Sequence, residues 1–175
     1  DIVCKKLIPK NNSFEYLKKY KGIGAIVCVY KIDKKISNAY WTSVSMENMP
    51  FNAIIQQNRL YPKSGFEIVY TSKYIDKNHK FFKNKNNFIA KESIKALLSL
   101  YPHLSTNNIK DCKVFKSESA APIPTIDTIN DIPSFKSPIN NLWHGGLEYI
   151  YPEDRGVGNS IEVADKIYKE LIKVY

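Results

Sequence analysis

The stretch from Leu142 to Ile161, Leu-Trp-His-Gly-Gly-Leu-Glu-Tyr-Ile-Tyr-Pro-Glu-Asp-Arg-Gly-Val-Gly-Asn-Ser-Ile, constrains this chain more than any other. It reads as a short apolar strand, a glycine turn, an acidic loop, and glycines that open a helix. Gly145 and Gly146 let backbone approach a ligand closely because no Cβ intervenes. Glu148 offers a hydrogen-bond acceptor for hydroxyl groups. The amides from Gly156 to Asn159 open a helix, where unpaired N–H groups favour negative charge. Ile161, Ala164, Ile167, Tyr168, Leu171 and Tyr175 recur at helical spacing and are expected to share one side. Asn159 is the expected N-cap, with Glu162 in the capping-box position. Strand–loop–helix units with glycines mostly bind nothing, so spacing alone leaves a ligand site and a purely structural unit both open.

The residues at 150–161, with Gly145-Gly146-Leu147-Glu148 ahead of them, resemble the C-terminal signature of one flavoprotein superfamily. Its members include the flavin amine oxidases, protoporphyrinogen oxidase, phytoene desaturases and, more distantly, UDP-galactopyranose mutase. In that pattern a strand ending in Ala-Gly-acid precedes a Gly-x-x-x-Gly-Ala helix start. Here Leu147 separates Gly146 from the acid, and Asn159-Ser160 stand in place of Gly-Ala. The resemblance implies an FAD site built from Gly145, Gly146, Glu148, Arg155, Gly156, Val157 and Gly158. Glu148 would meet the ribityl chain or its phosphate, and the Val157 amide would face the N1–C2=O edge of the flavin. Arg155 pairs with Glu153 or Asp154, or reaches an anionic ligand.

Net charge is +9, yet only Arg59 and Arg155 among the 26 basic residues are arginine. Base readout and bidentate phosphate clamps depend on arginine, and the lysines are spread rather than striped. A solvated lysine-rich surface is therefore expected, and no nucleic-acid partner. Cys4, Cys28 and Cys112 lie far apart without ligand spacing, and His79, His103 and His144 have no partners in sequence, so no metal site is expected. Cys4 and Cys28 sit in apolar runs as small buried hydrophobes. No apolar run approaches a membrane span, and the cysteine usage points to the cytoplasm. A start at Asp1, with no signal pattern and no initiator Met, is more consistent with an internal piece of a longer chain.

Taken in order, Asp1–Ile8 reads as a strand stopped by Pro9, and Ser13 caps a short helix to Tyr20. Gly22–Ile32 is nearly all apolar and β-branched, the clearest strand in the chain. After the Asp33-Lys34-Lys35 turn, Asn38–Val44 is expected to run back against it. Phe51–Leu60 and, after Pro62-Lys63-Ser64-Gly65, Phe66–Ile75 complete an antiparallel meander. His79–Asn87 reads as an exposed loop and Phe88–Tyr101 as a helix, with Ala90, Ile94, Leu97, Leu98 and Tyr101 on one face. Asp111–Ser117 is a last strand, followed by an extended, proline-rich connection.

The order resembles the same superfamily. Tyr40-Trp41, the Leu97–Pro102 helix end and Ala121-Pro122 match places in its substrate domain. The resemblance implies a strand leaving the FAD domain at 1–10, a substrate-binding domain at 11–120, a linker at 121–141, and a terminal strand and helix at 142–175. The expected fold is α+β: a mainly antiparallel sheet of about five strands with helices packed on it. The terminal strand–helix would belong to a Rossmann-like FAD domain whose main part is absent, since no Gly-x-Gly-x-x-Gly turn precedes a helix here. The implied function is the C-terminal part of an amine oxidase-like flavoenzyme. Its substrate is a small molecule that passes a hydride to FAD, and its partner is the missing FAD-binding portion. FAD is expected to bind weakly or not at all to this chain alone. A mutase resembling UDP-galactopyranose mutase is a variant of that reading. The alternative is a non-catalytic module binding an anionic sugar or nucleotide at the glycine-opened helix. Tyr40, Trp41 and Tyr149 are candidates for the substrate face, although Trp41 is expected in the core. No residue is singled out as catalytic.

Overall fold

The computed structural model describes residues 21–62, 65–126, 130 and 132–174. The expected strand at 1–8, the helix from Ser13 to Tyr20, Cys4, the Lys63-Ser64 turn residues and Tyr175 lie outside them. The chain divides into two compact units: 23–120, and a second comprising 21–22 and 121–174 among the described residues.

The first unit is built on a five-stranded sheet. Its strands are β1 (Gly22–Ile32), β2 (Trp41–Ser43), β3 (Ala53–Gln56), β4 (Glu67–Ile75) and β5 (Ile109–Pro122), in the spatial order β2-β3-β4-β1-β5. The pairs β2–β3, β3–β4 and β1–β4 are antiparallel. The meander is therefore real for β2 to β4, but β2 does not return against β1 as the turn at 33–35 suggested. The reason is length and polarity. β1 is eleven residues of almost unbroken apolar sequence, and a three-residue partner would leave most of its backbone donors unpaired at an edge. Placed between the long strands β4 and β5, it is paired on both sides.

Alternation then decides the faces. On β1, Ile26, Cys28, Tyr30 and Ile32 are buried, and the register places Val69 and Thr71 of β4 beside them. Ile54 and Gln56 of β3 continue this face. Helix α1 (Lys80–Lys83) and helix α2 (Asn86–Leu100) contribute Phe82, Ile89 and Leu97 to the same core. The stretch read as an exposed loop at 79–87 thus contains a one-turn helix. His79 caps it by accepting from the Phe81 amide at 3.1 Å, and it seats Phe82. On α2 the buried line is Ile89, Ser93 and Leu97, with Ile94 and Leu98 half-buried. Buried Gln56, Tyr30 and Thr71 in this interior have hydrogen-bond partners. Gln56 donates to Ser37 Oγ and to the Ala39 carbonyl at 2.6 Å, and accepts from the Ser37 amide. Tyr30 and Thr71 share a hydroxyl bond of 3.0 Å.

The second unit has a smaller core of Tyr149, Ile150 and Val163, with Ile132, Phe135 and Ile167 packed on it. Helix α3 (Val157–Leu171) supplies Val163 and Ile167. The strand expected before the glycines is reduced to one antiparallel bridge between Lys136 and Trp143, flanked by a bond from the His144 amide to the Phe135 carbonyl at 2.9 Å. The 121–141 segment is thus not extended throughout, because its end folds back onto 142–144. The Rossmann-like assignment of this unit is not seen in these elements.

Candidate functional site

The glycine-rich segment separates into two halves with different physical causes. A Cβ on Gly145 would lie 2.6 Å from Ile167 Cδ1 and 3.2 Å from Val163 Cγ1, so a side chain here would have to displace the chain's own helix side chains. A Cβ on Gly146 would meet the Glu148 carboxylate at 2.6 Å. Glu148 therefore folds back over Gly146, within a 3-10 turn at Leu147–Tyr149.

Gly156 and Gly158 differ. Nothing lies within 4 Å of a Cβ built on either, and Val157 is 80% exposed. The helix is capped by Gly156, not by Asn159, and no side chain closes the cap. Asn159 instead donates to the Asp154 carbonyl at 2.6 Å, bracing the loop against the first turn. The Gly156 amide is taken by the Asp154 carbonyl, and the first helical bond runs from the Ser160 amide to the Gly156 carbonyl. Geometry leaves the amides of Val157, Gly158 and Asn159 without an intrahelical acceptor. They form the positive end of the helix dipole. Arg155 is exposed beside them, its amide bonded to Asp154 Oδ1 at 2.8 Å. The backbone amides of Val157 to Asn159 could thus face an anionic or electron-rich group, while Glu148 lies against Gly146 and the side chains of α3 lie against Gly145.

The helix is also rotated relative to the face read from spacing. Ile161 and Tyr168 are exposed, and Val163, Ile167 and Leu171 turn inward. The error arose because α3 carries two apolar stripes, and the periodicity of either one satisfies a helical template. Tyr149, a candidate for the substrate face, is buried. Its ring stacks on Phe135 at 4.9 Å, and its hydroxyl lies 3.0 Å from His144 Nδ1 and 3.2 Å from the Ser134 carbonyl. Burial holds the His144 pKa below the ordinary imidazole value, against the opposing pull of Glu148.

In the first unit, the sheet face opposite the helices carries a row that no motif disclosed. Register aligns Trp41 with Ile55, Ile55 with Tyr70, and Tyr70 with Val29, so one row crosses four strands. A parallel row runs Ser43, Ala53, Ser72, Val27. Trp41 is 54% exposed. It is therefore not a core residue, and its indole donates to Ser43 Oγ at 3.2 Å. Tyr70 donates its hydroxyl to Gln57 Oε1. Tyr74 of β4 and Phe115 of β5 are further exposed aromatics. Tyr40 is exposed next to Trp41, with its carbonyl taken by the Gln56 amide at 2.8 Å. Strand pairing, not sequence adjacency, assembles this surface. The alternation Ala25, Val27, Val29 on β1 was its one advance signal, hidden because both faces of that strand are apolar. No group of His, Cys, Asp and Glu able to hold a metal ion exists among the described residues.

No family model matches the chain, and no curated protein matches its sequence. Solved structures do match. A proposed protoporphyrinogen oxidase from Exiguobacterium sp. 255-15 superposes with a TM-score of 0.58 at 10% identity over 74% of this chain and 30% of its own. What they share is the fold. An oxidoreductase from Methanosarcina mazei gives 0.54 at 12% identity over 77% of this chain and 31% of its own. A reduced UDP-galactopyranose mutase gives 0.52 at 14% identity, covering 67% and 26%. This chain thus spans less than a third of the length of each of these proteins.

Proposed function

We propose that this chain is the substrate-domain portion of a flavin-dependent oxidoreductase, together with the helix that meets the flavin. The observation that supports it is a convergence. The motif at 150–161 resembles a superfamily containing protoporphyrinogen oxidase and UDP-galactopyranose mutase, and the fold independently resembles solved proteins bearing those two names. When bound, FAD would supply the hydride acceptor, leaving the protein to position and polarise.

In this reading the open amides of Val157, Gly158 and Asn159 stabilise negative charge on the flavin edge, and Arg155 adds a cation at the same end. The Trp41–Ile55–Tyr70–Val29 row forms an apolar wall that orients a small-molecule substrate and excludes water. Hydride transfer and the amine oxidase-like subclass belong to this proposal. So does the division of the cofactor, whose adenosine half would be held by polypeptide outside this chain.

The test is to purify the product of the complete reading frame containing this sequence, denature it, and identify any released chromophore. One FAD per polypeptide is expected. A colourless protein that binds a nucleotide sugar would overturn the reading in favour of a non-catalytic binding module. Titration of the 175-residue chain with FAD, followed by flavin fluorescence, is expected to show no binding in the micromolar range or tighter.

A further inference from the structure

The helix-covered side of the sheet unit carries a groove that takes no part in the proposed function. Helix α2 sends Ile89, Ser93 and Leu97 into the core. The residues one place on, Ala90, Ile94 and Leu98, again recur at every fourth position and are only half-buried. Together with Lys91, Lys95 and Thr106 they line a groove of about 600 Å³ whose accessible lining is almost wholly apolar. Lysine lays its methylene stem along such a wall and keeps its ammonium at the rim. Both lysines are exposed, and among the described residues neither has a carboxylate partner. Elsewhere in this unit Lys110 is paired with Asp33, Lys77 with Glu118, and Lys73 with the Met49 carbonyl. No acidic residue lines the groove among those described.

We propose that this groove binds a medium-chain carboxylate, a straight aliphatic tail of about ten carbons ending in one anionic group. Length sets the tail. Leu98 lies eight residues beyond Ala90 on one helix, a run of about 12 Å at the helical rise. An extended chain of about ten carbons has that length. Chemistry sets its nature, because the floor offers methyl and methylene groups and no aromatic ring on which a base or planar ring would stack. The volume lies within the range of small-ligand sites.

Charge sets the head group. Lys91 and Lys95 are four residues apart, so they neighbour each other on the helix surface, and like charges at this spacing repel. One carboxylate between the two ammonium groups relieves that repulsion and gains charge-assisted hydrogen bonds from both. A nucleotide or free phosphate is served poorly, since no arginine lines the groove and the amides of the helix interior are already bonded within it. The site uses neither α3 nor the Trp41–Val29 row, so it stands or falls apart from the flavoenzyme reading.

The test titrates the isotope-labelled 175-residue chain and follows its backbone amide shifts by NMR. Three probes are used: decanoate, butyrate with the charge but little tail, and decyltrimethylammonium with the same tail and the opposite charge. Decanoate is expected to bind saturably, one per chain, with shifts clustered at 90–98 and at Thr106, and the other two probes are expected to give no saturable shift over the same range. Replacing both surface lysines, Lys91→Gln with Lys95→Gln, should weaken decanoate binding about tenfold, as for loss of one charge-assisted contact. Ala90→Phe, which fills the groove and keeps both lysines, should abolish it. The proposal is overturned by an unchanged affinity in the lysine double variant, by either control probe binding as well as decanoate, by shifts centred on the Trp41–Val29 row, or by no saturable shift with decanoate at millimolar concentration.

Discussion

Gly158→Ala separates a glycine kept for a ligand from one kept for the fold. The residue lies in the first turn of α3, outside the positive-φ region, with open space where a Cβ would go. Alanine therefore meets no clash. It removes unfolded-chain freedom and improves helix propensity, an effect of about 0.5–1 kcal/mol in favour of the folded state. With a urea slope near 1 kcal/mol/M for so small a unit, the midpoint should rise by about 0.5–1 M. The two units need not unfold together, so the reporter must be local. In a Trp41→Phe background, Trp143 is the sole tryptophan and lies in the same unit as α3. Its fluorescence reads the transition directly. A midpoint that falls would refute the reasoning, because it would mean that the chain's own atoms crowd this helix start. If the midpoint rises in the isolated chain while the complete protein loses FAD, the glycine serves the cofactor and not the fold.

Other consequences are as direct. Gly145→Ala, whose methyl would press on Ile167 Cδ1 at 2.6 Å, should destabilise the same unit by about 1–3 kcal/mol, with partial rescue by Ile167→Val in a double-mutant cycle. Tyr30→Phe leaves the buried Thr71 hydroxyl without its partner and should cost about 1–2 kcal/mol, and adding Thr71→Val should recover part of it. Because burial lowers the folded-state pKa of His144, the unfolded chain binds the proton more readily. The stabilising contribution is therefore present above the unfolded value near 6.5 and is lost as pH falls through the folded one. Urea midpoints read at Trp143 should decline on acidification below neutrality, and His144→Gln should flatten that decline.

How much of this was written in the sequence depends on whether local pattern or long-range pairing decides each element. Gly22–Ile32 was legible to the residue, because an apolar β-branched run bounded by turn residues has few alternatives. Its position in the sheet was not, since pairing with β4 and β5 depends on segments far along the chain. The open helix start at 156–158 could be read from its glycines, but an identical glycine at 145 sits against Ile167 and Val163, a contact that only the folded α3 reveals. Val163 and Ile161 are both apolar at helical spacing, so the buried stripe was a choice between two equivalent patterns. Trp41 was misplaced because bulk argues for burial, whereas cross-strand register with Ile55 turned it to the uncovered side.

The central place of β1 carries a cost in time. This strand is synthesised before either of its neighbours, and the chain must close loops through three more strands and two helices before β5 can flank it. Until β4 is made a long apolar ribbon has unsatisfied backbone on both edges, and until β5 is made on one. Such non-local pairing slows folding and leaves the nascent chain open to association with copies of itself. Yield on expression should therefore respond more steeply to temperature and to chaperone supply than the stability of the finished sheet would suggest.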